Sequence, residues 1–270
     1  MGNGTGRGRR DALLWLAGAP MVLFLAIPLA ALILRVAPGD VLRALTDAQV
    51  AQALSLSVMT TLITTGVTLL AGTPLAYMLA RRHFAGHTIF TTLVELPIVL
   101  PPAVAGIALL VAFGRRGLVG QWLAARGIEI PFTPLAVILA QLFVAAPFYL
   151  QAAQSAFSQV RRELAEAATM DGASPWQIFR AITLPLVAPA LFAGAIMTWA
   201  RALGEFGATI IFAGNLPGST QTLPLAIYND FDFSLQTALT LSVILLVVAF
   251  GVLLLVKGLL RQRIIGGFEE

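Results

Sequence analysis

Few residues in this chain could do chemistry, and most of them fall in one segment. Between Arg161 and Pro185 the sequence reads RRELAEAATMDGASPWQIFRAITLP, which gathers acids, bases, Gly172 and a Ser174-Pro175 pair. Elsewhere the ionisable groups are scattered: His83 and His87 four residues apart, Glu95, and Arg201 with Glu205, also four apart. Two histidines at that spacing could share a helix face and ligate a metal. They flank Gly86 in a short basic stretch, however, where an interfacial turn is the plainer reading, so no metal site is assigned. Cysteine is absent, which removes thiolate nucleophiles, disulfides and cysteine-ligated zinc or iron-sulfur centres. The sequence offers no Ser-His-Asp set, no His-Glu-x-x-His and no recognisable pair of catalytic carboxylates. A nucleotide site would need a phosphate-cradling Gly-rich loop ending in lysine, and the one lysine, Lys257, follows Val256 in an apolar run. No catalytic residue is assigned; the chain is expected to be no enzyme and to bring no cofactor of its own.

The elements that must position these residues are apolar helices. Of the 270 residues 58% are hydrophobic and 11% charged, with a mean hydropathy of +0.88, whereas a soluble domain has roughly a quarter of its residues charged. Six runs are long enough to cross a bilayer core, at about 20 residues each: 13–34, 53–80, 88–113, 134–157, 186–212 and 238–260. The alternating pattern of a membrane barrel is missing, which leaves an all-α, polytopic chain with six transmembrane helices. It reads as one domain over residues 1–270, with the 161–185 segment a two-helix loop within it.

The pI near 10.3 would point to nucleic acid in a soluble protein, but here the basic residues sit at the ends of apolar runs. They read as topology, with no nucleic-acid partner. Placing both termini in the cytoplasm puts Arg7, Arg9, Arg10, Arg81, Arg82, Arg161, Arg162, Arg180, Lys257, Arg261 and Arg263 inside. Outside lie Arg35, Arg43, Arg115, Arg116 and Arg126, and the excess favours that orientation in a cell membrane. The first run follows GRGRR but is longer than a signal peptide's apolar core and ends at Leu34-Arg35 without an A-x-A site, so it is read as a retained helix.

Within the charged segment, Glu163 to Met170 reads as a short helix with acid in its first turn. Gly172 can stop it, Ser174 resembles an N-cap followed by Pro175, and a second amphipathic helix runs from Trp176 toward Leu184 with Trp176, Phe179 and Ile182 on one face. By chemistry alone this is an interfacial hairpin or a docking knob. A resemblance to a known family decides for the knob. Glu166-Ala167-Ala168, then Gly172, then Ile182-x-Leu184-Pro185 resembles at every position the EAA signature of permease subunits of ABC importers. The resemblance implies that the loop docks on a separate ATP-binding subunit, two of which bind and hydrolyse ATP with Mg while driving the permease between inward and outward states. It also implies a homodimer, a soluble external substrate-binding protein and an inner-membrane location. Glu163, Glu166, Ala167, Ala168, Gly172, Ile182, Leu184 and Pro185 are the coupling residues on this reading.

Two further stretches, ELPIVLPPAVAGIALLVAFGRRG from Glu95 and RALGEFGATIIFAGNLPGSTQTLPLAIY from Arg201, resemble the molybdate permeases of that class. Sulfate and thiosulfate permeases are close relatives that tend toward GEYGS, where this chain has Gly204-Glu205-Phe206-Gly207-Ala208. The resemblance therefore implies molybdate or tungstate, with sulfate or thiosulfate the alternative.

The residues themselves add candidates for a pathway or gate: Thr61 and Thr65 within a stripe of threonines in the second run, Glu95, Pro101, Arg201 and Glu205. Threonines in membrane helices also bond their own backbone, and Arg201 with Glu205 reads equally as a structural ion pair. Pro97, Pro101 and Pro102 should bend or break the third run. A reading in another mechanistic class, an ion-driven secondary transporter, would want an inverted repeat and mid-membrane acids. It would also leave the charged knob without a purpose.

Overall fold

The computed structural model describes residues 4–82 and 84–266. In the terminal helices the side chains are described from Trp15 onward and, beyond Leu254, only at Val256. His83 lies outside the described residues, as do the side chains of Arg7, Arg9, Arg10, Lys257, Arg261 and Arg263.

The described residues form helices joined by short loops, with no strand among them. A long first helix, α1 (Gly4–Leu34), is followed by the short α2 (Pro38–Thr46) and by α3 (Ala48–Arg81). Asp47 joins these two by accepting hydrogen bonds from the backbone N–H groups of Gln49 (2.8 Å) and Val50 (3.2 Å), the N-cap that starts α3. Next come α4 (His87–Val99), α5 (Pro102–Phe113), the single turn α6 (Gly120–Ala124) and α7 (Pro134–Gln159). Beyond it lie α8 (Arg162–Met170), α9 (Pro175–Ile178), a π turn over Phe179–Thr183 and α10 (Leu184–Leu203). The chain closes with α11 (Gly207–Phe212), α12 (Leu223–Phe233) and α13 (Leu235–Gly266).

Among the described residues five helical stretches are long and apolar enough to cross a membrane by themselves: within α1, α3, α7, Pro175–Leu203 and α13. The remaining run, the third in order, is the broken pair α4 and α5, bent by 118°. The expected break is therefore present, at Leu100-Pro101, where two consecutive prolines cannot donate to the helix ladder. α4 lies along the half of α7 near the 161–185 segment, with Val94 against the cluster of Tyr149, Leu150, Ala153 and Phe157. α5 lies along the other half, with Ala105 and Leu109 against Ala136, Val137, Ala140 and Val144. The break is thus level with the middle of α7.

The expected fifth span, 186–212, is corrected by the structure. α10 stops at Leu203, Gly204 takes φ −87° and ψ 8°, and a separate short helix starts at Gly207. Hydropathy could not show this, because Ile210 to Phe212 continue the apolar run past the interruption.

α7 is the axle on which α3 and α10 pack. The Tyr149 ring, wholly buried, sits between two glycines. A Cβ on Gly72 would lie 3.1 Å from its Cδ1, and one on Gly194 would lie 3.3 Å from its Cδ2. The Tyr149 hydroxyl shares a 2.6 Å hydrogen bond with Thr73 Oγ1. One level away, buried Gln141 donates to Thr60 Oγ1 (3.1 Å) and accepts from Thr64 Oγ1 (3.0 Å). Gln141→Leu is expected to cost no more than about 1 kcal/mol, the usual worth of an interhelical hydrogen bond in a membrane bundle. Thr60 already donates to the Leu56 carbonyl and keeps that bond. Thermal unfolding in detergent measures the change.

Candidate functional site

The Arg161–Pro185 segment projects from one end of the bundle. Glu163 lies in the first turn of α8; Glu166 and Ala167 are exposed and Ala168 is half-buried. The helix ends in a Schellman arrangement. The Ala173 N–H donates to the Ala168 carbonyl (2.9 Å) and the Gly172 N–H to the Thr169 carbonyl (3.0 Å). That geometry needs left-handed backbone, and Gly172 has φ +86°. A Cβ there would meet nothing within 4 Å, so conformation rather than space demands the glycine. The next helix starts at once with a capping box: Ser174 Oγ accepts from the Gln177 N–H (3.4 Å) and Gln177 Oε1 accepts from the Ser174 N–H (2.7 Å).

This second helix is the beginning of the span itself. After one α turn the chain widens into the π turn, where the Leu184 N–H reaches back to the Phe179 carbonyl. The wide turn precedes Pro185, which lacks an N–H and whose ring would clash with a carbonyl four residues back in a regular helix. Ile182 and Leu184 are half-buried and Pro185 is exposed. Trp176 and Phe179 stack at 5.7 Å between ring centroids. Phe179 packs in turn on Tyr77 of α3 (5.2 Å) and Phe157 of α7 (6.4 Å). An aromatic chain thereby joins the projecting segment to the bundle; sequence reasoning missed Tyr77 and Phe157, which only tertiary packing brings there.

The projecting surface is both charged and apolar. Arg161 pairs with Glu163 at 3.2 Å, whereas Glu166 has no ion pair among the described residues. Met170 is 89% exposed and Trp176 67%. Large apolar side chains held outward on a structured, capped knob fit a protein groove.

A second constellation lies at mid-depth, where the two broken helices meet. A Cβ on Gly207 would lie 2.5 Å from Pro102 Cβ, and one on Gly106 would lie 2.8 Å from Ile211 Cβ and 2.9 Å from the Ala208 carbonyl oxygen. Glycines let the two half-helices touch there. Pro101, exposed, precedes the start of α5. Glu205, 2% exposed, sits in the second break with both oxygens engaged. Its Oε2 pairs with Arg201 Nη1 at 2.8 Å and its Oε1 accepts from the Ala208 N–H at 2.8 Å. The ion pair anticipated from spacing is thus present across the end of α10, and Glu205 also caps α11.

The remaining candidates lie apart from this junction. Thr61 is wholly buried and donates to the Ser57 carbonyl (2.7 Å); Thr65 is half-buried and donates to the Thr61 carbonyl (2.8 Å). Both hydroxyls serve their own helix. Glu95, half-buried on α4, makes no hydrogen bond or ion pair among the described residues. At the end of the bundle opposite the knob, Arg115 pairs with Glu129 (2.5 Å) beside a cavity of about 330 Å³ lined by Phe113, Ile130 and Phe132. Arg126 there lies 3.5 Å over the Trp122 ring.

Residues 72–265 match the family described as binding-protein-dependent transport system inner membrane component. The chain is 41% identical over 233 residues to the molybdenum transport system permease protein of Mycobacterium tuberculosis, covering 86% of this chain and 88% of that one. It is 34% identical over 229 residues to a sulfate transport system permease protein of Escherichia coli, covering 83% and 82%. Among solved structures, a bacterial ABC transporter involved in import of the acidic polysaccharide alginate superposes with a TM-score of 0.71 at 20% identity, over 94% of this chain and 96% of that one. That last likeness is one of fold.

Proposed function

The chain belongs to the family of binding-protein-dependent transport system inner membrane components, and on that premise we propose that it is the permease of a molybdate importer driven by a separate ATPase. The observation that carries the ATPase coupling is the knob itself: a capped, outward-facing helix pair whose backbone runs without a loop into a transmembrane helix. The family member at 41% identity supports molybdate as cargo. On this reading two ATP-binding subunits receive Glu163, Glu166, Ala167, Ala168 and the turn at Gly172, with Ile182, Leu184 and Pro185 forming the joint to the span. The knob end and both termini face the cytoplasm, and the opposite end, with Arg115 and Glu129, receives an external binding protein. Two copies of the chain enclose the path, with Pro101, Glu95, Arg201 and Glu205 as candidate gate residues.

The second-copy reading has physical support. α1 has no buried residue in its apolar window, and α10 keeps an exposed stripe of Pro189, Ala193 and Met197 that ends in Arg201, a charge that a lipid-facing position would penalise by about 3 kcal/mol or more. Protein or water must cover that stripe in the membrane.

Sulfate is the rival cargo, favoured by the 34% relative. Uptake of labelled molybdate by the complex of permease, ATPase and binding protein in vesicles is expected to be ATP-dependent, competed by tungstate and little affected by sulfate. Strong competition by sulfate alone would replace molybdate with sulfate as the cargo.

A further inference from the structure

We infer that Arg201 is a transit site for the translocated oxyanion and that Glu205 is its resident counter-ion, displaced when a dianion arrives. The inference rests on the reading of the chain as an oxyanion permease and adds to it where in the membrane the anion is held.

Four features point to displacement rather than to a static pair. The burial is lopsided: the Glu205 side chain is 1% exposed and that of Arg201 30%. Arginine carries five N–H donors in a planar fork suited to two oxygens of a tetrahedral anion, yet Arg201 spends one nitrogen on Glu205 and has no other partner among the described residues. Arg201 stands at the end of the exposed stripe of α10, the side that protein or water must cover. Glu205 has a second anchor in the Ala208 N–H, so one of its two carboxylate oxygens keeps its partner when the arginine turns away.

The neighbourhood fits a passing ligand. Thr198, one turn before Arg201, and Thr209, one turn after Glu205, are both 0% exposed, and neither Oγ1 has a hydrogen-bond partner among the described residues. These spare hydroxyls stand on the same stretch of chain as the pair. A dianion on Arg201 would also sit close to the Glu205 charge, and that repulsion shortens its stay. Conduction needs such weak holding, since a site that binds firmly does not release.

The test uses the purified permease–ATPase complex in lipid nanodiscs without binding protein, with labelled molybdate and labelled sulfate as probes. Glu205→Gln keeps the shape and the acceptor for Ala208 but removes the competing charge. It is expected to retain at least tenfold more labelled anion than wild type and, in the vesicle assay with binding protein, to turn over more slowly. Arg201→Gln and the double variant Arg201→Gln/Glu205→Gln are expected to retain none. The swap Arg201→Glu/Glu205→Arg rebuilds an ion pair, and its thermal midpoint reports folding; it is expected not to recover uptake. Retention by Glu205→Gln equal to wild type, or uptake by the swap within twofold of wild type, would overturn the site and leave a purely structural pair. Retention needs no transport. A wild-type complex that imports neither anion would therefore sink the importer reading, while the variants still decide this one.

Discussion

Gly172→Val is expected to lower ATP-dependent uptake roughly five- to a hundredfold while leaving the amount of inserted permease unchanged. Gly172 holds φ +86° with open space around it, so a side chain finds room but not a permitted backbone. A β-branched residue in that region costs about 1–3 kcal/mol, and each 1.4 kcal/mol is about a factor of ten in an equilibrium. The chain can escape the strain by unwinding the Schellman turn, which frees the Ala168 and Thr169 carbonyls and swings Glu166 and Met170 away from Trp176. Docking suffers because its two halves lose their fixed relation. Gly172→Asn should fall between the two, because asparagine visits left-handed backbone more readily. Co-purification of the ATPase with each variant reads docking directly, and a valine variant that captures ATPase and transports like wild type would rule out the fixed turn as the coupling geometry.

Gly106→Leu should be strongly damaging to the bundle. Its first added carbon falls 2.8 Å from Ile211 Cβ and 2.9 Å from the Ala208 carbonyl oxygen, the latter on backbone that cannot rotate away. Overpacking of this kind costs about 1–3 kcal/mol, and here it forces α5 and α11 apart at the point where both helices are interrupted. The expected result is a lowered thermal midpoint in detergent together with lost uptake. Gly251→Leu on α13, where an added Cβ meets nothing within 4 Å, is the matched control and should melt at or above the wild-type temperature. Equal melting of the two variants would show that the α5–α11 contact is not tight.

Much of this architecture is legible in the residues. Apolar runs of membrane length mark the spans because a bilayer leaves helices no other way to satisfy their backbone, and Pro101-Pro102 announces a break because neither proline can donate. The knob is readable for the same local reason: Gly172, Ser174, Pro175 and Gln177 each act on neighbours within a few positions. Gly204 was not readable as a break. Apolar residues continue through Phe212, and the Arg201–Glu205 spacing is the same whether the helix persists or stops. The threonine stripe is ambiguous in a related way, since hydroxyls that line a path and hydroxyls that bond their own carbonyls present one pattern. Tyr77, Phe157 and Gln141 matter through partners far along the chain, on other helices, and no local pattern carries that information.

The continuity of Pro175–Leu203 has a mechanical consequence. Counting 1.5 Å per residue, the rod runs about 29 Å from Pro175 to the Gly194 contact with Tyr149 and about 15 Å from there to the Gly204 break. Pivoted where Gly194 bears on the Tyr149 ring, it is a lever with unequal arms. A swing imposed at the Trp176 end then arrives at the break with roughly half the travel and twice the force, a gearing suited to prying apart a closed junction rather than to moving it far.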